Sequence, residues 1–256
     1  MIPRIIHYVW VGPKRLPEKD AGFVAEWRRL MPGWEFRFWS DQTIDFASST
    51  WLQAAYAMKG WNRIADYMRV WAVMTHGGIY LDTDVELLKP LDPLLRHSAF
   101  ISYQTDARFK DKPGADEWVN SAVFGAEPGH WFPTEVYQAL MSSAGGWKDQ
   151  GAWTGPGVAT EVLRRHGLMP PQDAPATVRD VTVLPRRAFH PYHWSQDPSE
   201  AEITEDTFGI HHWAGSWTEE AKHWPLSKKL MLRCVRIAPH LAYRLRRRQL
   251  DARRVA

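Results

Sequence analysis

Asp82 and Asp84 stand two residues apart in the run Gly77-Gly78-Ile79-Tyr80-Leu81-Asp82-Thr83-Asp84-Val85-Glu86. In an extended chain, alternate side chains point to opposite faces. Tyr80, Asp82, Asp84 and Glu86 therefore share one face, and Ile79, Leu81, Thr83 and Val85 the other. Two carboxylates held this close repel each other unless a cation joins them. Hard oxygen donors suit Mg2+ or Mn2+, which keep coordination positions open for phosphate oxygens. A lone Asp-x-Asp is a weak sign, since an acidic turn has the same composition. Here it follows a helix, two glycines and an apolar strand. The carboxyl end of such a strand is where open α/β sheets bind ligands.

A second pair of polar residues lies on the helix expected over Asn62–His76. Ile64, Met68, Trp71 and Thr75 share one face, while Asp66 and Arg69 lie nearly opposite, together with Val70 and Val73. The helix is apolar almost all round, which implies burial. Asp66 and Arg69, three apart, can form an intrahelical ion pair; such pairs contribute about 0.2–0.5 kcal/mol. They can equally be two polar groups turned into a ligand cleft. A third group of residues is Phe208-Gly209-Ile210-His211-His212-Trp213-Ala214-Gly215-Ser216-Trp217. Adjacent histidines on a strand point to opposite faces, so one at most meets the cleft. A neutral imidazole there could join the two carboxylates as a third metal ligand. A satisfied core or surface histidine reads the same in the sequence.

Positioning these groups needs an alternation of strands and helices. Arg4–Val11 is a nearly continuous apolar run, as in a strand buried on both faces. Phe23, Val24, Trp27 and Leu30 follow at helical spacing, Pro32-Gly33 stops them, and Glu35–Trp39 alternates like a strand. Strand, helix, strand reads as a βαβ unit, hence a mostly parallel sheet under helices. Trp51, Leu52, Ala55 and Tyr56 suggest another helix. Further strands are expected at Ile79–Glu86, Ala99–Tyr103, Val119–Ala126, Val178–Leu184 and Thr207–His212, and helices near Trp131–Ser143 and Val158–His166.

The chain has 256 residues, 45% of them hydrophobic and 24% charged, which excludes disordered, collagen-like and disulfide-scaffold classes. Its single cysteine, Cys234, permits no internal disulfide and fits a reducing compartment. Met1–Ile6 runs directly into a strand-like segment without signal-peptide features, so a cytoplasmic protein is expected. Charge divides the chain unevenly. Residues 226–256 hold ten Lys and Arg against Asp251, whereas residues 1–225 hold 22 basic against 28 acidic residues. That balance argues against nucleic acid as a partner. It predicts a catalytic domain over 1–225 and a basic amphipathic tail over 226–256.

Taken in order, Ile2–Gly12, Phe38-Trp39-Ser40-Asp41, Ala65-Asp66-Tyr67-Met68-Arg69, Gly77–Asp84 and His211–Trp217 resemble the Asp-x-Asp sugar transferases of glycosyltransferase family 32. Bacterial capsular and lipopolysaccharide glycosyltransferases belong to that family, and the large clostridial glucosylating toxins resemble it more distantly. The likeness is dense over residues 2–127 and sparser to 217. It implies a glycosyltransferase A-type α/β fold, a divalent cation, a UDP- or GDP-linked hexose donor, and retention at the anomeric carbon. The acceptor would be a saccharide or a lipid-linked one, in surface polysaccharide synthesis.

By the same resemblance, Trp10 would hold the base, Asp66 the ribose or donor sugar, and Arg69 the donor side of the cleft. Asp82 would contact ribose and metal, and Asp84 would ligate the metal. Asn120 would lie near the transferred sugar, and Ser216 and Trp217 would close over the diphosphate. The pattern His212-x-x-Gly215 favours His212 over His211 as the metal-binding imidazole. The lysine that related enzymes carry after this glycine is missing, which leaves diphosphate neutralisation to the metal and Trp217. No hydrolase-like acid and nucleophile pair stands out, in keeping with a front-face mechanism.

Two other classes fit parts of the pattern. A metal-dependent phosphohydrolase or nucleotidyltransferase also uses an Asp-x-Asp, but the chain lacks a phosphate-binding Gly-x-x-x-x-Gly-Lys loop. A non-catalytic carbohydrate-binding protein would leave the metal motif unexplained. The tail has two readings as well. Met231, Val235, Ala238, Leu241, Ala242 and Leu245 form an apolar stripe among arginines, suited to an anionic membrane or to packing on the body of the chain.

Overall fold

The computed structural model describes residues 1–112, 115–142, 155–215, 231, 234–235 and 237–255. By its contacts the chain divides into two units. The first comprises Met1–Tyr8, Pro17–Arg37 and Arg69–Trp213, the second Val9–Leu16, Phe38–Met68 and Ala214–Ala256.

The strands are β1 (Ile5–Val9), β2 (Glu35–Trp39), β3 (Gly78–Leu81), β4 (Val85–Leu87), β5 (Ala99–Tyr103), β6 (Val119–Ala126), β7 (Ala176–Val178), β8 (Val181–Leu184) and β9 (Gly209–His211). The helices are α1 (Glu18–Leu30), α2 (Thr50–Ala57), α3 (Trp61–His76), α4 (Trp131–Ser142), α5 (Gly155–Arg165) and α6 (Pro239–Val255). Among the described residues, seven strands form one sheet in the order β2-β1-β3-β6-β5-β8-β7, and β4 pairs with β9 apart from it.

β1 runs parallel to β3 and β5 parallel to β8, while β6 is antiparallel to both β3 and β5, and β7 to β8. Glu35 N donates to Arg4 O and Trp10 N to Trp39 O, each at 3.0 Å, so β2 runs with β1. Five of the seven strands thus point one way, as the mostly parallel reading requires, with β6 and β7 reversed. β3, β5 and β6 are buried along their whole length, which explains their apolar runs without alternation.

Two expected strands are broken. The run Ile79–Glu86 ends as β3 at Leu81 and resumes as β4 at Val85, so Asp82, Thr83 and Asp84 form the link. Val85 N donates to Asp82 O at 3.1 Å, closing a turn. The run Val178–Leu184 is likewise a hairpin, turning at Arg179, whose φ is +55°.

The two glycines at the junction of α3 and β3 are obligatory. Gly77 stops α3 at φ +65°, and Gly78 has φ +100°. A Cβ on Gly78 would come within 2.6 Å of Ile5 O. His7 Nε2 donates to Gly77 O at 2.8 Å, which ties β1 to this turn. Trp27 of α1 is fully buried and donates its indole N–H to Val85 O at 2.9 Å, fixing the start of β4.

In the second unit α6 packs on α2. Tyr243 stacks on Phe46 at 5.4 Å and meets Tyr56 edge-on at 5.2 Å. Arg246 Nε donates to Ala57 O at 3.0 Å, and Ala242 and Leu250 are buried. α6 is therefore packed along one face. Leu241, Arg244, Leu245 and Arg248 are exposed on the rest. Residues 216–230 of the expected tail and its approach lie outside the described residues.

Candidate active site

The site is built where β3 ends. Asp82 N donates to Ala122 O on β6 at 2.8 Å, so the sheet itself holds the first aspartate. Tyr80 Oη donates to Asp82 Oδ1 at 2.7 Å. Arg69, buried on α3, places Nη2 3.3 Å from Asp82 Oδ1 and donates from Nη1 to Ser121 Oγ at 3.0 Å. Its guanidinium also lies over the Tyr80 ring, 4.9 Å from the centroid. Burial pushes the Asp82 carboxyl above the usual carboxylate range; Arg69 pulls it down and Asp84 pushes it up again.

Asp84 faces His211. His211 Nε2 lies 3.5 Å from Asp84 Oδ1. One donor atom each from Asp82, Asp84 and His211 lie within 4.8 Å of one another, the one such trio among the described residues. Two carboxylates and an imidazole are a donor set that fits a divalent cation.

His211, and not the expected His212, is the imidazole beside the two aspartates. β4 and β9 pair with Val85 opposite His211, which turns His211 toward the aspartates. His212 points the other way. Its Nε2 meets Glu86 Oε2 at 2.8 Å, and its ring stacks on Phe23 at 5.1 Å.

Asn120 is 4% exposed; its Nδ2 donates to Gln104 Oε1, and its Oδ1 accepts from Ala122 N at 2.6 Å. It braces the β6 segment that holds Asp82. Trp10 and Asp66 belong to the second unit, where the Trp10 indole donates to Lys14 O at 2.8 Å. Gly12 N, next to Trp10, donates to Asp41 Oδ2 at 3.0 Å. Ser216 and Trp217 lie outside the described residues.

Four residues around the acid pair carried no assigned role in the sequence reading. Asp20, buried on α1, accepts from Thr83 Oγ1 at 2.9 Å, so the middle residue of Asp-x-Asp is itself held. Burial raises the Asp20 carboxyl, the Thr83 hydrogen bond lowers it, and nearby Asp84 raises it further. Ser121 accepts from Arg69. His190 is fully buried, with its ring 5.4 Å from that of His211, and burial holds its pKa well below the usual imidazole value. Trp213 packs on His211 at 4.3 Å with φ +52°, a left-handed backbone rare for a bulky residue. Asp20 and His190 have no local signature; each becomes visible only when distant segments meet.

Residues 17–101 match the family described as glycosyltransferase sugar-binding region containing DXD motif. These residues are thus similar to the sugar-binding region of such transferases. The resemblance to family 32 holds over them. The matched residues include Asp66, Arg69, Asp82 and Asp84, but neither His190 nor His211. Inositol phosphoceramide mannosyltransferase 1 of Schizosaccharomyces pombe is 32% identical over 146 residues, 54% of this chain and 42% of its own length. Lactosylceramide 4-alpha-galactosyltransferase of Mus musculus is 27% identical over 161 residues, 59% of this chain and 40% of its own length. The chain thus spans less than half the length of these curated relatives. Among solved structures, the PaToxG glycosyltransferase superposes with a TM-score of 0.52 at 16% identity, over 64% of this chain and 69% of that one. That likeness shows the fold, the expected glycosyltransferase A-type arrangement.

Proposed function

We propose that this chain is a divalent-cation-dependent, retaining glycosyltransferase that moves a hexose from a UDP- or GDP-sugar to a saccharide or lipid-linked acceptor, as in surface polysaccharide synthesis. The observation that carries this reading is the convergence of Asp82, Asp84 and His211 within 4.8 Å in a chain with a DXD sugar-binding region. The names of the relatives specify mannosyl or galactosyl transfer and ceramide substrates, which supports a hexose donor and favours a lipid-linked acceptor.

Asp82, Asp84 and His211 would hold Mn2+ or Mg2+. When bound, the cation supplies Lewis-acid stabilisation of the charge on a leaving diphosphate. The chain's own residues keep that site in shape. Arg69 and Tyr80 hold the Asp82 carboxylate in one orientation, Ser121 anchors Arg69, and Asp20 pins the turn through Thr83. Groups fixed before the reaction need no reorganisation as charge develops, which is where such sites derive most of their effect. In this reading Trp10 and Asp66 bind the nucleoside side of the donor, and Ser216 and Trp217 cover the diphosphate. Retention rests on the family resemblance.

The same reading places the protein at the cytoplasmic face of a membrane. No helix among the described residues is long and apolar enough to cross one. α6 instead presents Leu241 and Leu245, each about half exposed, beside Arg244 and Arg248. Each basic residue near an anionic surface adds about 1 kcal/mol of attraction. Arg244→Glu with Arg248→Glu should release the protein from anionic liposomes without loss of fold.

A thermal-shift screen of UDP- and GDP-hexoses, with and without Mn2+, tests the function, since a ligand raises apparent stability by mass action. Stabilisation that needs both donor and cation is expected, followed by acceptor-dependent turnover with the anomeric configuration kept. Donor hydrolysis that ignores every acceptor would point instead to a phosphohydrolase. No response to any nucleotide sugar would end the transferase reading.

A further inference from the structure

Two imidazole nitrogens beside the acid pair have no assigned role. His190 is fully buried, and its Nδ1 lies 3.2 Å from both Tyr103 O and Ser102 Oγ. A carbonyl oxygen only accepts, so Nδ1 carries the proton and Nε2 is bare. That Nε2 is buried without a hydrogen-bond partner. His211 is 7% exposed; its Nε2 faces Asp84, and its Nδ1 is buried and equally unpartnered. The two rings meet edge to face at 5.4 Å between centroids. Trp213 packs against both, 4.3 Å from His211 and 5.3 Å from His190.

A buried polar atom without a partner costs about 1–3 kcal/mol. Here a bare acceptor and a possible donor lie on neighbouring rings, and one hydrogen bond removes both costs. A ligating imidazole must present an unprotonated nitrogen to the cation. Its other N–H normally goes to an acceptor that fixes both tautomer and ring orientation.

We propose that His190 is the positioning residue for His211. Its Nε2 takes the Nδ1 hydrogen of His211, directly or through one water, and so leaves His211 Nε2 bare toward Asp82 and Asp84. This rests on the reading of Asp82, Asp84 and His211 as the cation site. Trp213, clamped over both rings in a left-handed conformation, keeps the pair aligned.

The test is a Mn2+ titration of the whole chain without donor, followed by electron paramagnetic resonance of the free ion. His190→Leu should weaken Mn2+ binding by about 10- to 100-fold. His190→Gln, whose amide oxygen can stand where Nε2 stood, should restore most of it. Nitrogen-15 NMR of the Mg2+-loaded chain should show His211 protonated on Nδ1. If His190→Leu binds Mn2+ as tightly as the unchanged chain while Asp84→Asn does not, His190 has no such role and the cation site stands. If Asp84→Asn also binds undiminished, the cation site falls, and this proposal with it. Should His190→Leu fail to fold by circular dichroism, the Gln variant and the NMR decide: weak binding in Gln, or Nε2–H on His211, overturns the assignment.

Discussion

His211 Nε2 stands 3.5 Å from Asp84 Oδ1 because β4 and β9 pair with Val85 opposite His211. Side chains alternate along a strand, so a slip of one residue would exchange His211 and His212. The register also explains why His212 finds Glu86 and Phe23.

The two histidines should therefore separate cleanly on substitution. His211→Ala is expected to weaken Mn2+ binding at least about tenfold, whereas His212→Ala leaves it nearly unchanged. Asp84→Asn should lower transfer by about 10²-fold or more with the fold intact, since it removes a ligand charge and no core contact. Calorimetric Mn2+ titration beside a transfer assay reads all three. Comparable loss in His212→Ala would mean that the register does not select the ligand.

Asp20 should cost the metal-free chain stability. Its carboxyl is raised in the folded state, first by burial and then by Asp84. A raised carboxyl favours folding below its unfolded pKa, and that advantage is lost as pH rises through the folded value. Asp20→Asn keeps an acceptor for Thr83 and removes the charge. Its Tm should therefore exceed that of the unchanged chain at pH 7–8, and the gap should close toward about pH 4. A gap that grows on acidification would contradict the assignment.

His7 gives the opposite pH dependence. Burial lowers its pKa from 6.5 to about 4. A lowered imidazole contributes stability above its unfolded pKa that is lost as pH falls toward the folded value. Denaturant unfolding should show stability declining between pH 6.5 and 4, with about 3 kcal/mol from this group. His7→Gln, still able to donate to Gly77 O, should flatten that part of the profile.

Gly78→Ala should be among the most damaging small substitutions. The added Cβ meets Ile5 O at 2.6 Å in a backbone with φ +100°. Left-handed strain alone costs about 1–3 kcal/mol, and the clash adds to it. Gly33→Ala is the control: φ is +82°, but nothing lies within 4 Å of its Cβ. The unfolding midpoint should fall further for Gly78→Ala. Equal losses would show that φ alone matters.

Much of the molecule was legible in local pattern. Apolar runs marked β1, β5 and β6, helical spacing marked α1 and α3, and Gly77-Gly78 ahead of an apolar strand marked the turn into the site. Asp82, Asp84 and Arg69 could be picked out because each stood where a local period placed a polar group against an apolar background. The break between β3 and β4 could not, since alternation continues through Asp82–Asp84 whether or not the strand does. The split of Val178–Leu184 into a hairpin was hidden for the same reason.

The order of elements and the acid pair follow from periods of two and 3.6 residues within one segment, so local pattern carries them. Tertiary structure alone decided the partners. His211 displaced His212 through the pairing of β9 with β4. Asp20 reached Thr83 from α1, and His190 came to lie beside His211. α6 of the basic tail divided into a face packed on α2 and an exposed face. Each of these depends on the register or packing of segments far apart in the chain, and side-chain periodicity within one segment carries no information about which distant segment it will meet.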